Sequence, residues 1–358
     1  LTQVDDALRL RIAEAAEGNP LFVEEMVAML HESQSGDAAV PPTIQALLAA
    51  RLDQLDPPDR NVLQSGSVEG RVFHRGAVQA LAPDESQVTT RLTALVRKEL
   101  VRPDKSLLPG EDAFRFRHLL IRDAAYNALP KATRAELHER FADWLGEHGS
   151  TLVELDEILG YHLEQAYRYR SELGALDDHG RELGTAASRR LAASGERALA
   201  RGDMPAATGL LERATALLEP EEEARLRLLP QLGHALLEAG ELNRAEAVLA
   251  EASEAARRAG DRGLEASVVP YQVGVLLATD PQTPFAAAQA RLRAAVETFE
   301  ELGDEAGLAR ASRMLALLDL FLGRAAEAAG ALERAAEHAR RAGDRRLELD
   351  CLEWIHGC

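Results

Sequence analysis

Ten histidines, two cysteines and 59 Asp and Glu residues give this 358-residue chain the side chains used in catalysis and metal binding, but not the spacings. Neither G-x-x-x-x-G-K-[ST] nor G-x-G-x-x-G occurs, so no loop of that kind wraps a phosphate in backbone N–H groups. No G-x-S-x-G turn presents a serine nucleophile. The histidines are scattered without the His/Cys intervals of a zinc site. His162, near Glu157 and Glu164, reads as part of a solvated helix face. The carboxylates Glu24-Glu25 and Glu221-Glu222-Glu223 read as helix-start residues that complement the helix dipole. No catalytic constellation emerges. One residue stands out by position instead: His118, where the hydrophobic period changes.

The elements around that histidine follow from the pattern. Phe114, Arg115, Phe116 and Arg117 alternate apolar and basic, which suits a short half-buried strand. From His118 on, Leu119, Ile121 (or Leu120), Ala125 and Leu129 fall on one helical face, and Pro130 ends the run. Upstream, residues 7–16 and 21–32 read as two helices broken by Gly18-Asn19-Pro20. Residues 33–39 form a small, polar linker. Thr43 caps a helix that begins at Ile44, and Asp56-Pro57-Pro58 opens the next. Phe73 to Leu81 is a short third helix. A fourth starts at Asp84 or Ser86, with Val88, Leu92, Leu95 and Val96 inward. Leu100-Val101-Arg102 is strand-like, Pro103-Asp104-Lys105 turns, and Phe114–Phe116 pairs back. Helices followed by a two-stranded wing make the winged-helix pattern.

Winged helices often read DNA. Here the fourth helix carries Arg91, Arg97 and Lys98 beside Glu85 and Glu99, and the wing loop holds Asp104, Glu111 and Asp112. Net charge is -18 overall, -6 for residues 1–150 and -12 for residues 151–358. A surface that neutralises phosphates needs the opposite sign, which argues against DNA as a partner.

Beyond Ala135 the pattern is helical and repeats itself. Ala-x-x-x-Leu-x-x-Ala recurs at Ala207, Ala245, Ala288 and Ala328, at intervals of 38, 43 and 40 residues. Gly202, Gly240 and Gly323 precede three of these, and Gly260, Gly303 and Gly343 mark a second turn. A period near 40 with a turn inside each unit predicts stacked helical hairpins, similar to tetratricopeptide repeats. Small alanines let helices approach and leucine fills the layer between them. Pro230 and Pro270 are expected as kinks in the first helices of two hairpins, and two further hairpins before Arg201. The fold expected is therefore mostly α, a winged helix followed by an α-solenoid.

Hydrophobic residues make up 46% of the chain and charged residues 28%, with no apolar run of spanning length and no secretory leader. Cys351 and Cys358 lie about 10 Å apart along a helix, too far to pair, and a reducing cytoplasm is the expected compartment. A start at Leu1 and an end in helical pattern predict a longer parent, with the solenoid truncated at its C-terminus.

AEGNPLFVEEMVAML, a winged helix, FRFRHLLIRDAAYNAL, RAELHERFADWL and helical repeats together resemble the signal-transduction ATPases with numerous domains. Within them the chain is most similar to the bacterial branch linked to nucleotide cyclase or LuxR-type output domains. The resemblance implies that residues 1–40 end an ATPase helical lid, 41–130 form the winged helix and 131–358 the repeats. It implies that Pro20 packs on the adenine of a bound nucleotide and that His118 contacts the ADP phosphate. Arg117 and Leu119 depart from the Met and Asp that flank that histidine in the plant and animal relatives. A histidine at a helix start adds a donor to N–H groups already disposed toward phosphate; the other reading is a buried histidine bonded within the wing. The implied function is a regulatory and sensor part of an ATP-dependent switch, not itself an enzyme. ATP or ADP would require the absent P-loop domain, and the chain itself needs no cofactor or metal. A protein or peptide partner is expected on the concave face of the repeats. Two alternatives stand beside it: a stand-alone tetratricopeptide-like protein-binding scaffold, and a winged-helix transcriptional regulator.

Overall fold

A computed structural model describes residues 6–16, 18–32, 40–280, 282 and 284–357. The chain divides into two compact units, residues 1–183 and 184–358. Among the described residues, no helix is long and apolar enough to cross a membrane.

The first unit opens with α1 (Asp6–Ala16) and α2 (Pro20–Glu32). Ile12, Ala16, Phe22, Met26 and Met29 recur at helical spacing and bury together against Leu47. Next come α3 (Ile44–Asp53), α4 (Pro57–Glu69), β1 (Val72–His74), α5 (Arg75–Leu81) and α6 (Val88–Arg97). They are followed by β2 (Val101–Asp104), β3 (Ala113–Phe116) and α7 (Leu119–Asn127). Thr43 does cap α3, its hydroxyl accepting from Ala46 N at 3.2 Å. The sheet has three strands in the order β1-β3-β2, all pairs antiparallel, rather than the two expected. The extra strand is the three-residue Val72-Phe73-His74, paired with Ala113–Arg115. It is too short for an alternating pattern to register, and it was read as the start of α5. Pro103 also lies within β2 instead of in the turn. Because β2 is an edge strand, a residue without an N–H is tolerated there. Phe73 and Phe116 stand 5.1 Å apart at the centre of the core, surrounded by Leu48, Leu63, Leu92 and Ile121.

Two longer helices, α8 (Lys131–His148) and α9 (Leu155–Leu173), complete the unit's main packing. The stretch before Arg201 therefore holds one hairpin and the first helix of another, not two hairpins. His162 is buried at 2% exposure, which corrects its reading as a solvated face. Its Nδ1 lies 2.8 Å from His138 Nδ1. The Nε2 of His138 meets the Tyr126 hydroxyl at 2.7 Å, and that hydroxyl meets Tyr169 at 3.0 Å. Arg122 and Arg134 place their guanidinium groups over the Tyr126 ring at 4.8 and 4.7 Å. Two facing imidazole nitrogens at this distance share a single proton, one donating and the other accepting. Burial first, then the Arg122 and Arg134 charges, hold His138 down to about 3. Burial likewise pushes His162 well below the ordinary range.

The second unit is built from α10 (Asp178–Arg201), α11 (Met204–Ala216), α12 (Glu223–Glu238), α13 (Leu242–Ala259) and α14 (Arg262–Thr279). After these come α15 (Phe285–Leu302), α16 (Glu305–Phe321), α17 (Ala325–Ala342) and α18 (Arg345–Gly357). Consecutive helices pack as hairpins, and α12, α14, α16 and α18 also pack on one another. The twelve repeat alanines and leucines are all buried, none more than 3% exposed. The turns obey one rule. Gly260, Gly303 and Gly343 end helices in the left-handed conformation, which a residue without Cβ adopts freely. The aspartate that follows each caps the next helix: Asp261, Asp304 and Asp344 accept from backbone N–H groups at 2.9–3.0 Å. This is a tetratricopeptide-like helical repeat. Pro230 and Pro270 lie inside α12 and α14, in the helices where the sequence places them.

The neutral histidine pair makes the first unit acid-sensitive in a defined window. A histidine whose pKa is depressed by folding stabilises the native state above its unfolded value, near 6.5. That stabilisation is lost as pH falls toward the folded value. Each such group contributes up to about 1.4 kcal/mol per pH unit between those limits. In denaturant titrations run from pH 7 to 4, the stability of a His138→Gln variant should fall less steeply than that of the parent. Parallel curves would refute the buried neutral pair.

Candidate functional site

The two residues singled out by resemblance both sit at helix starts in the first unit. Pro20 is the exposed first residue of α2. Gly18 before it has φ +82°, and the Asn19 side chain accepts from Leu21 N at 3.1 Å. Gly-Asn-Pro is thus fully used as a helix stop, a cap and a helix start. His118 is the N-cap of α7 and is exposed, with Nδ1 accepting from Leu120 N at 3.2 Å. The alternative of a buried histidine inside the wing is thereby corrected, because the capping geometry turns the ring outward. No hydrogen bond joins Pro20 to His118, and their helices belong to separate cores.

What ties those cores together is a side chain that sequence reasoning passed over. Arg51 on α3 is 1% exposed and forms a buried ion pair with Glu25 of α2. Its second Nη donates to Lys98 O at 2.5 Å, at the C-terminal end of α6. Glu25 is thus no helix-start carboxylate. It lies one position from Met26 and three from Phe22, on the apolar face, and that placement was a readable signal.

The second unit contains a chamber of about 450 Å³. Its walls come from α10, α12, α14, α16 and α18, the first helix of every hairpin. Arg346 of α18 closes it on one side by donating to Leu199 O of α10, and it lies 3.9 Å from Glu238 of α12. Within, the His234 and Tyr271 rings stack at 4.7 Å. Burial, then the charges of Arg310, Arg346 and Arg313, hold His234 down to about 3, so it is neutral. Burial pushes the Tyr271 hydroxyl up. Arg313 pairs with Asp350. Arg310, half-buried among the described residues, has neither an ion pair nor a hydrogen bond. The Gln231 carboxamide has no partner either, and its oxygen is buried. Arg310 and the Gln231 amide thus lack partners in a lining that also carries Glu196, Asp344 and Arg345. Nothing in the sequence marked Arg310, because its isolation depends on five helices far apart in the chain.

No family model matches the chain. An uncharacterized protein of Rhizobium meliloti (strain 1021) is 27% identical over 159 residues, covering 42% of this chain and 15% of its own length. Among solved structures, a signal transduction ATPase with numerous domains and a tetratricopeptide repeat sensor, from Pyrococcus horikoshii, is similar at TM-score 0.41 and 15% identity. That match covers 99% of this chain and 54% of the other. Aspartyl phosphate phosphatase F from Bacillus subtilis gives TM-score 0.41 at 12% identity, over 88% of this chain and 79% of that one. The chain therefore spans about a seventh of the curated relative and about half of the archaeal ATPase.

Removing one member of a buried ion pair strands the other charge in a poorly solvated site. Glu25→Ala should therefore destabilise the first unit by about 3–5 kcal/mol in urea titration. A loss below about 1 kcal/mol would show that Arg51 does not depend on Glu25.

Proposed function

We propose that this chain is a protein-interaction scaffold whose second unit receives part of its partner in the inner chamber. Arg310 carries the reading. A half-buried guanidinium that makes no ion pair or hydrogen bond among the described residues keeps its donors for acceptors that a partner supplies. The apolar walls around it and the Gln231 amide fit recognition of a polypeptide better than a purely structural cavity. The role assigned is binding, and no reaction is assigned to the chain.

A second reading concerns the first unit, and the Glu25–Arg51–Lys98 link favours it. The order helix, strand, helix, helix, hairpin, with strands arranged β1-β3-β2, supports reading it as a winged helix. In this reading α1 and α2 are the end of an ATPase lid. Arg51 transmits lid position to the winged helix at residues 41–130, and the repeats sense the partner. Pro20 and His118 then touch ATP or ADP held by a P-loop domain in a longer protein. Binding of DNA by the winged helix is disfavoured by charge. Lys98 and Arg91 of α6 lie 3.2 and 3.7 Å from Asp59, and Arg91 lies 3.7 Å from Glu85.

Photo-crosslinking separates the scaffold from a mere cavity. A photoreactive residue in place of Ala200, on the chamber rim, should capture a discrete partner in the source cells. The same label at Ala247, exposed on α13, should not. Identical capture from both positions would remove the chamber from the proposal. For the switch, His118→Ala in a version carrying an upstream P-loop domain should release ADP several-fold faster, and His118→Asn, which keeps a capping side chain, should do the same. Unchanged retention of ADP in both variants would leave His118 as a cap.

A further inference from the structure

A stack of helical hairpins behaves as a soft spring. Each hairpin touches only its neighbours, so small rotations at successive interfaces add up between the two ends. In the second unit α18 rests on α16, α16 on α14 and α14 on α12. One bond bypasses that series. Arg346, two residues after the Asp344 cap of α18, donates through Nη1 to Leu199 O near the end of α10, 147 residues away.

The bond is built so that it can open. Leu199 O is also taken by Gly202 N at 3.0 Å, and the turn that ends α10 keeps that bond when the guanidinium leaves. Arg346 and Glu238 lie 3.9 Å apart and are each 38% exposed, so their ion pair is screened by water and contributes little. A side chain already this exposed returns to solvent without stranding a buried charge. Its surroundings pull both ways: Arg310 and Arg313 of α16 repel the guanidinium, while Glu238 of α12 and Glu196 of α10 attract it. Leu199 and Arg346 both belong to the chamber lining, so the bond that restrains the two ends also spans the chamber.

We infer that Arg346 is a latch: on Leu199 O it holds α18 to α10 and narrows the chamber, and off it the two helices part and the chamber widens. The latch is a property of the chain alone. Its use as a gate for a partner rests on the scaffold reading.

The distance between the ends reads the latch directly. Spin labels on ketone-bearing residues in place of Arg201 on α10 and Glu353 on α18, both exposed, avoid the two cysteines. Pulsed electron resonance should give a narrow distance distribution for the parent. In Arg346→Ala, which places a strong helix former in α18, the mean should lengthen by several ångströms and the width should at least double. A control pair at Ala247 and Glu297, exposed on α13 and α15 of adjoining hairpins, should not change. Identical distributions in the parent and Arg346→Ala overturn the inference. So does an equal shift in Glu238→Gln, which removes the ion pair and leaves the carbonyl contact, because the pair would then be the restraint. A matching change at the control pair overturns it as well, since the unit would have loosened throughout. Where the latch opens, capture by the photoreactive residue at Ala200 should rise at least threefold, and capture that does not rise removes the gate. If Ala200 captures no partner even in the parent, the scaffold reading fails and the distances alone decide the latch.

Discussion

The second unit depends on how closely its paired helices approach. In each of the first two hairpins, a glycine in the first helix lies under the repeat leucine of the second. A Cβ on Gly195 would stand 2.9 Å from Leu211, and one on Gly233 would stand 2.4 Å from Leu249. Both pairs are sixteen residues apart, so the same contact is made twice in the same register. A glycine inside a helix sacrifices roughly 1 kcal/mol relative to alanine. The leucines are fully buried, and their packing in the space a Cβ would take offsets that loss. Tight pairing within hairpins leaves the first helices free to pack on one another, and their inner faces become the walls of the chamber.

Most polar groups buried inside such a structure are paired. In the first unit the pairing is internal. Arg51 finds Glu25 and Lys98 O, Asp59 finds Lys98 and Arg91, and the Tyr126–His138–His162 chain saturates itself. Buried networks of this kind fix relative positions, because any shift breaks several bonds together. The second unit saturates its edges in the same way, through Asp caps and the Arg313–Asp350 pair, yet leaves Arg310, Gln231 and Tyr271 open. Buried atoms without a hydrogen bond occur in both units, at Asp59 Oδ1, His74 Nε2 and Arg91 Nε in the first and at Thr208 Oγ1 and Gln231 Oε1 in the second; the chamber differs in gathering its open groups around one space.

Much of this was legible in sequence, and the division follows range. The repeats, their Gly turns and the buried Ala-Leu-Ala sets could be read because each is written within forty residues and then repeated. Thr43 as a cap and His118 at a strand-to-helix junction were equally local. The third strand was missed because Val72–His74 is too brief to show a period. The Glu25–Arg51 pair spans 26 residues and His138–His162 spans 24, and neither partner announces the other. His162 was misread for a related reason: its polarity suggested solvent, when a partner on the neighbouring helix had made burial affordable.

Arg346 shows why the chamber lies beyond any local reading. It belongs to the last helix, its acceptor Leu199 O to the first helix of the unit, and 147 residues separate them. That carbonyl already accepts from Gly202 N at 3.0 Å in the turn that ends α10, and its second lone pair takes the guanidinium. The contact therefore adds a long-range donor to a carbonyl that the local turn already uses. A bridge of this kind joins the last helix of the unit to its first across the inner face, so the chamber's wall is completed by residues that no local pattern links.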